Sequence, residues 1–254
     1  MSIHKTEALV LARYDVRETS LIVNFFTRDF GKVTGILKGI RGDPAKFASP
    51  VDLFSYNDII YYKKRNSPVH LVSQCDLKDG FSGIRRDYSK IGMATLMMEI
   101  LNSVMAEEDK NDEVFNLALS ALSELAVTNF PEKVTTIFKI KILSLSGFKP
   151  HLDSCVICKE KISGQSKFSL NLGGLLCLKC SGRDSAARAI FRGTIATIMH
   201  IEKNDFKSNL NLGMNPQIKK ELGLVLNSFL NFHLEKEFKS QKVLDKLDYL
   251  ASVA

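Results

Sequence analysis

Four of the five cysteines of this chain lie in one short stretch, CVICKEKISGQSKFSLNLGGLLCLKC. They form two Cys-x-x-Cys pairs separated by eighteen residues. A two-residue gap lets both sulfurs of a pair reach one ion from a tight turn, and the intervening segment is long enough for a hairpin. This spacing is typical of a zinc ribbon with a structural zinc ion. The predicted ligands are Cys155, Cys158, Cys177 and Cys180.

Two other uses of paired cysteines fit this pattern less well. A thioredoxin-type redox site uses one Cys-x-x-Cys near a βαβ pattern, which this sequence lacks. An iron–sulfur cluster could use the same four thiolates, although its usual spacings differ. Because four thiolates leave no open coordination position, we expect no catalysis at the metal. His151 is expected to face solvent, and Cys75 to be a small buried residue.

The first part of the chain, to about residue 80, has the pattern of short β-strands. Runs rich in Val, Ile, Leu and aromatic residues alternate with turn sequences such as DVRE and KRNSP. The predicted strands are EALVLARYDV, SLIVNFFTR, KVTGILKGI, LFSYNDIIYYK and VHLVSQCDL. Five short strands must hide their edges, and a five-stranded Greek-key barrel of this length fits an OB-fold.

Beyond residue 84 the apolar residues recur at helical spacing. The predicted helices are RRDYSKIGMATLMMEILNSVM, DEVFNLALSALSELA, PEKVTTIFKIKILSLSG, DSAARAIFRGTIATIMHIEK and NPQIKKELGLVLNSFLNFHLEKEF. In the last of them, Asn215 is the predicted N-cap and Pro216 the first helical residue. The fold class is therefore α+β and multidomain. The predicted parts are an OB-fold at 1–80, a helical domain at 81–150 and 184–254, and a four-cysteine zinc-binding insert at 151–183.

The composition indicates an ordinary globular protein with a basic balance. The chain is 45% hydrophobic and carries a formal net charge of +7, which favours an anionic partner such as nucleic acid. A signal-peptide core and a stretch of about 18 apolar residues are both lacking, so we expect a cytoplasmic protein. Phosphate-binding, nucleotide-binding and hydrolase motifs are also lacking, so we expect no enzymatic activity.

Basic residues concentrate in the strand-rich segment, where aromatic residues interleave with them. Single-stranded nucleic acids bind to such mixtures, because cations contact phosphates while rings stack on bases. Many of these aromatic residues must also fill the barrel. The predicted phosphate contacts are Arg28, Lys32, Lys38, Arg41, Lys46, Lys63, Lys64 and Arg65.

The N-terminal segment EALVLARYDVRETSLIVNFFTRDFGKVTGILKGIRG resembles the start of the RecO family of bacterial recombination-mediator proteins. The corresponding residues are Glu18-Thr19-Ser20, Phe26-Thr27, Gly31-Lys32 and Lys38-Gly39-Ile40-Arg41. GFKPHLDSCVIC is similar to that family's Gly-x-x-Pro-x-Leu-x-x-Cys-x-x-Cys. Lys149 stands where the family often has a second proline. The order of strands, helices, four-cysteine insert and final helices also agrees.

This resemblance implies an OB-fold, a helical domain and a zinc site. It further implies binding of single- and double-stranded DNA, annealing of complementary strands, and help in loading RecA onto DNA coated by single-strand-binding protein. The implied partners are RecR and the acidic tail of single-strand-binding protein, which ends in an aromatic residue and a carboxylate. Lys139 and Lys141 are candidate cations for that tail on chemical grounds alone.

Two other functions fit the same features. An RNA-binding or ribosome-associated zinc protein would use an OB-fold and basic charge equally well. A protein-interaction scaffold would carry the charge incidentally and would have no affinity for nucleic acid.

Overall fold

The computed structural model describes residues 2–43 and 46–253, and side chains up to residue 247. The chain divides into two compact units, one of residues 1–135 with 238–254 and one of residues 136–237. The first unit thus begins with the barrel and also contains the end of the chain. The predicted limits of the OB-fold, the insert and the helical domain stay predictions.

A closed barrel of five strands forms the N-terminal part of the first unit, in the order β1-β2-β3-β5-β4. The strands are β1 (Ser2–Val16), β2 (Ser20–Thr27), β3 (Gly31–Leu37), β4 (Tyr56–Lys63) and β5 (Val69–Asp79). All neighbours are antiparallel except β3 and β5, which run parallel. The OB-fold prediction is confirmed, and each predicted strand overlaps an observed one.

Alternating side chains of these strands fill the barrel. In β2 the inward-facing Leu21, Val23 and Phe25 are buried, whereas Ile22 and Asn24 between them are half-buried. Strand β1 is long enough to pair with both β2 and β4, and its register shifts between Val10 and Ala12. A bulge at such a shift bends the strand and helps the sheet to close. Cys75 is fully buried in this core, as predicted.

Helices complete the first unit. They are α1 (Ser82–Arg85), α2 (Tyr88–Val104), α3 (Asp112–Val127) and α8 (Lys239–Val253). The side chains of Asp87 and Asn111 cap α2 and α3 by accepting hydrogen bonds from main-chain N–H groups of the first turn. At the start of α8, the carboxylate of Glu99 accepts hydrogen bonds from Ser240. Helix α4 (Pro131–Leu145) begins in this unit and ends in the second.

The second unit combines helices with a small sheet in the order β7-β6-β8. Its elements are β6 (Ser166–Ser169), β7 (Gly174–Cys177), β8 (Arg188–Ile190), α5 (Arg192–Lys203), α6 (Phe206–Leu210) and α7 (Pro216–His233). Asn215 caps α7 with Pro216 in its first turn, as predicted. The helix predicted from Asp184 onward is wrong in its first part, because residues 188–190 pair with β6 and α5 begins only at Arg192.

Within the described residues, no helix is both long enough and apolar enough to cross a membrane.

Candidate metal centre and basic surface

The hairpin of β6 and β7 brings the two cysteine pairs together. Cys177 ends β7, and Cys180 lies in the short 3-10 helix that follows. The first pair is held beside the hairpin by main-chain hydrogen bonds: the N–H of Val156 donates to the carbonyl of Leu175 over 2.9 Å. As a result, all four Sγ atoms lie within 4.8 Å of one another.

The arrangement of the four sulfurs fits a tetrahedral metal ion. Zn–S bonds of about 2.3 Å in a tetrahedron place sulfurs about 3.8 Å apart, and the Sγ atoms of Cys158 and Cys177 are 3.8 Å apart. Burial raises the pKa of the Cys155 thiol, but main-chain N–H groups of Cys177, Cys158 and Ile157 lower it to about 6. Such N–H groups favour the thiolate that a metal needs. The four cysteines can therefore hold one metal ion.

A small buried cluster and a few hydrogen bonds stabilise the segment around these cysteines. The buried cluster at the site consists of Cys155, Leu176 and Ala187. Asp184 supports the hairpin by accepting a 2.5 Å hydrogen bond from the Ser169 hydroxyl, and this bond lowers the Asp184 pKa. The His151 ring is hydrogen-bonded to Ser154, and His151 is not one of the four clustered ligands. A metal ion bound by the four cysteines would therefore add a cross-link to a segment with a small core.

Three predicted phosphate contacts gather beyond the end of β3, and we name Lys38, Arg41 and Lys46 the turn cations. The Lys46 ammonium donates to the carbonyl of Lys38 over 3.1 Å. The N–H of Arg41 donates to the carbonyl of Thr19 over 2.9 Å, which joins this turn to the one between β1 and β2. The Arg41 guanidinium also donates to the main-chain carbonyl of Arg17 over 3.4 Å, so the exposed Arg17 lies beside this turn. The sequence did not indicate this cation as a phosphate contact, although its DVRE turn was recognised.

Three more predicted contacts gather at the loop between β4 and β5, and we name Lys63, Lys64 and Arg65 the loop cations. Together with Ser2 they line a surface cavity of about 430 Å³. The Lys63 ammonium lies 2.7 Å from a carboxylate oxygen of Glu108. Within the part of the chain that the structure describes, the side chains of Lys64 and Arg65 have no hydrogen bond or ion pair.

The outer face of β2 and β3 lies between the turn cations and the loop cations. Lys38 follows the end of β3, whereas the β4–β5 loop leads into β5 where Val69 pairs with Thr34. The half-buried Ile22 and Ile36 pair on this face. Tyr14 pairs with Ile22 from β1, and its side chain is 54% exposed. In OB-folds the face of strands 2 and 3 binds oligonucleotides together with the β1–β2 and β4–β5 loops. The loop cations lie at the β4–β5 loop, and the turn cations lie beside the β1–β2 turn.

Arg28 and Lys32 are committed to contacts within the protein. The Arg28 guanidinium pairs with Glu7, donates to Asn116 over 2.9 Å and lies 4.4 Å from the centre of the Phe115 ring. The Lys32 ammonium donates to the carbonyls of Asn102 and Met105, and its side chain is only 12% exposed. Arg28 and Lys32 therefore lie outside the turn cations and the loop cations. Their role as phosphate contacts stays a prediction.

The two candidate partner-binding lysines also have internal contacts. Lys139 is 7% exposed, and its ammonium donates to Asn227 Oδ1 over 2.7 Å. The Lys141 ammonium donates to the carbonyl of Glu202 over 2.9 Å, and burial lowers its pKa. Both are therefore positioned inside the second unit, and their binding role stays a prediction.

The Glu7 carboxylate beside Arg28 gives a pH-dependent contribution to stability. Burial raises its pKa, but hydrogen bonds from Lys78, Tyr56 and Arg28 lower it more strongly, to about 2 from 4.5. A lowered pKa in the folded state stabilises the protein above pH 4.5, and this stability is lost as the pH falls through 2. In Glu7→Gln we expect a free energy of unfolding below that of the wild type at pH 7, with the difference shrinking towards pH 2. Urea unfolding at several pH values measures this, and a pH-independent difference would contradict it.

Two family models match the chain: Recombination protein O N terminal over residues 1–81, and Recombination protein O C terminal over residues 85–242. The chain belongs to the RecO family. It is 31% identical over 245 residues to DNA repair protein RecO of Alkaliphilus metalliredigens (strain QYMF), covering 96% of this chain and 99% of that protein. Identity to DNA repair protein RecO of Syntrophus aciditrophicus (strain SB) is 31% over 251 residues, with 96% of each chain covered.

A third relative, DNA repair protein RecO of Desulfatibacillum aliphaticivorans, is 30% identical over 248 residues, covering 95% of this chain and 96% of that protein. The resemblance that the N-terminal motif and the cysteine spacing indicated is thereby confirmed. An OB-fold barrel followed by helices and a four-cysteine cluster agrees with it. Membership of this family supports a role in DNA repair and recombination.

Proposed function

We propose that this protein is a recombination mediator that binds single- and double-stranded DNA and anneals complementary strands. We further propose that it assists the loading of RecA onto DNA coated by single-strand-binding protein, in the bacterial cytoplasm at the nucleoid. The observation that carries this proposal is the pair of solvent-accessible cation groups, the turn cations and the loop cations, on either side of the β2–β3 face. Family membership supports it.

Annealing of DNA strands by this surface makes and breaks no covalent bond. The turn cations and loop cations reduce the repulsion between two phosphate backbones, and Tyr14 offers a ring for base stacking. Because the proposed contacts go to phosphates and to ring faces, the binding is expected to tolerate any sequence. The protein therefore acts as a binding protein and not as an enzyme.

The metal proposed for the four cysteines is one structural zinc ion, because four thiolates in a closed tetrahedron suit zinc and leave no position for a reactant. Its role is to hold the segment around β6 and β7 in shape. The proposed protein partners are RecR and the acidic tail of single-strand-binding protein. Lys139 and Lys141 are the proposed cations for that tail, and binding there requires their ammonium groups to leave Asn227 and the Glu202 carbonyl.

A strand-annealing assay with complementary oligonucleotides tests the proposal. We expect faster pairing of bare strands and of strands coated with single-strand-binding protein. Matched RNA oligonucleotides serve as competitors, and a stronger preference for RNA would favour the RNA-binding alternative. An unchanged annealing rate together with no measurable DNA affinity would contradict the proposed function.

A further inference from the structure

An acidic segment between α2 and α3 lies along the beginning of β3. It consists of Glu107, Glu108 and Asp109. The main chain of Glu107 forms an isolated parallel β-bridge with that of Lys32, and the N–H of Glu108 donates to the Lys32 carbonyl over 3.1 Å. The segment is thus fixed to the barrel through its main chain.

Gly31 allows this close approach. Its φ is +63°, and a Cβ at this position would lie 2.3 Å from the main-chain oxygen of Asp109. No side chain fits such a gap, so the acidic segment lies as near to the barrel as main-chain atoms permit. The negative charges of the segment are therefore held beside the basic end of the barrel.

Glu107 and Glu108 pair with lysines that differ in their exposure to solvent. Glu107 pairs over 3.2 Å with Lys32, which also donates to two carbonyls and is nearly buried. Glu108 pairs over 2.7 Å with Lys63, which lines the surface cavity of the loop cations. The Glu108 side chain is 55% exposed, and the oxygen that pairs with Lys63 lies 3.9 Å from Nε2 of the buried His70. The first pair is therefore structural, whereas the second lies at an open site.

We infer that Glu108 competes with DNA phosphate for Lys63 and so limits the affinity of the loop cations for DNA. A carboxylate on a lysine ammonium occupies the position that a phosphate oxygen would take. Before Lys63 can contact a phosphate, its pair with Glu108 must open. Lys64 and Arg65 need no such step, because their side chains have no ion pair within the described residues. This inference rests on the proposed function, since it concerns the same DNA-binding surface.

The contributions of the loop cations to DNA affinity should therefore be unequal. Lys63→Ala is expected to weaken binding less than Lys64→Ala does, because Lys63 gives up an existing ion pair when it binds. Removal of the competing carboxylate should make the two contributions more similar. The acidic segment would thus set the affinity of the surface without touching DNA.

Affinity for a single-stranded oligonucleotide, measured by fluorescence anisotropy at several salt concentrations, tests this. In Glu108→Gln we expect binding about two- to fivefold tighter, the range corresponding to loss of an exposed ion pair. The slope of log affinity against log salt should become steeper by at most about 0.7, the value for one full phosphate contact, because Lys63 already contributes part of that contact in the wild type. Glu113→Gln is the matched control, because it removes the same charge from an exposed carboxylate with no ion pair within the described residues. That control should bind like the wild type.

A double-mutant cycle isolates the pair itself. In a Lys63→Ala background, Glu108→Gln should no longer tighten binding. Glu108 has a φ of +58°, a backbone region that asparagine tolerates well, so Glu108→Asn is a second variant should the first fail to fold. Unchanged or weaker binding of both variants, or an equal gain in the Lys63→Ala background, would overturn the inference. A wild-type protein without DNA affinity would instead overturn the proposed function and the inference with it.

Discussion

Purified protein is expected to contain one zinc ion, and Cys158→Ser is expected to lose it. In small zinc-dependent domains, metal binding contributes about 10–16 kcal/mol to folding. The segment here resembles such domains, because its buried cluster is small: Cys155, Leu176 and Ala187, with the half-buried Val156 and Ile162 packed against them. Loss of the metal should therefore unfold the region around β6 and β7. Amide hydrogen exchange at residues 155–180 is expected to become fast, whereas exchange in β1–β5 stays slow.

Elemental analysis by mass spectrometry gives the metal content, and chelator titration gives its effect on exchange. Cys158 suits this test because it is exposed, so that a serine leaves no cavity and any unfolding results from the lost ligand. Cys75→Ala is the control: Cys75 is buried in the barrel, far from the other cysteines in the sequence. It should keep a full complement of zinc. Full zinc content in Cys158→Ser, or iron in place of zinc, would contradict the prediction.

The features that the sequence predicted well depend on local patterns. The cysteine spacing predicted the hairpin and the clustering of four sulfurs, because both follow from a few neighbouring residues. The strand sequences predicted the barrel, since alternation and turn residues act over short distances. The cap at Asn215 was predicted for the same reason.

The features that the sequence could not predict depend on distant residues. Helix α8 packs on α2: Gly92 of α2 lies against Leu244 of α8, and Glu99 of α2 accepts hydrogen bonds from the first turn of α8. The sequence of α8 alone does not indicate these contacts. In the same way, the list of basic residues did not show which cations have acidic partners: Lys63 meets Glu108 only because the α2–α3 segment reaches β3. Strand β8 was missed because it has only three residues and pairs with β6, from which β7 and the 3-10 helix separate it in the sequence.

Replacement of Lys38, Lys64 and Arg65 by alanine is expected to reduce affinity for single-stranded DNA about 100-fold at about 0.1 M salt. Each phosphate contact on a single strand contributes about 0.7 to the slope of log affinity against log salt. Three lost contacts should lower the slope by about 2, which corresponds to about two orders of magnitude between 0.1 M and 1 M salt. These three side chains suit the test because, within the described residues, none makes a hydrogen bond or ion pair that its removal would break. The fold should therefore remain intact.

Anisotropy titrations at several salt concentrations measure the slope, and circular dichroism verifies the fold. The matched control replaces Lys207, Lys219 and Lys220 by alanine, which removes the same charge from exposed positions on α6 and α7. A general effect of net charge would weaken both triple variants equally, whereas contacts at the barrel weaken only the first. Equal losses would therefore assign the affinity to overall charge. A normal slope in the first variant would show that the phosphates lie elsewhere than on the face between the turn cations and the loop cations.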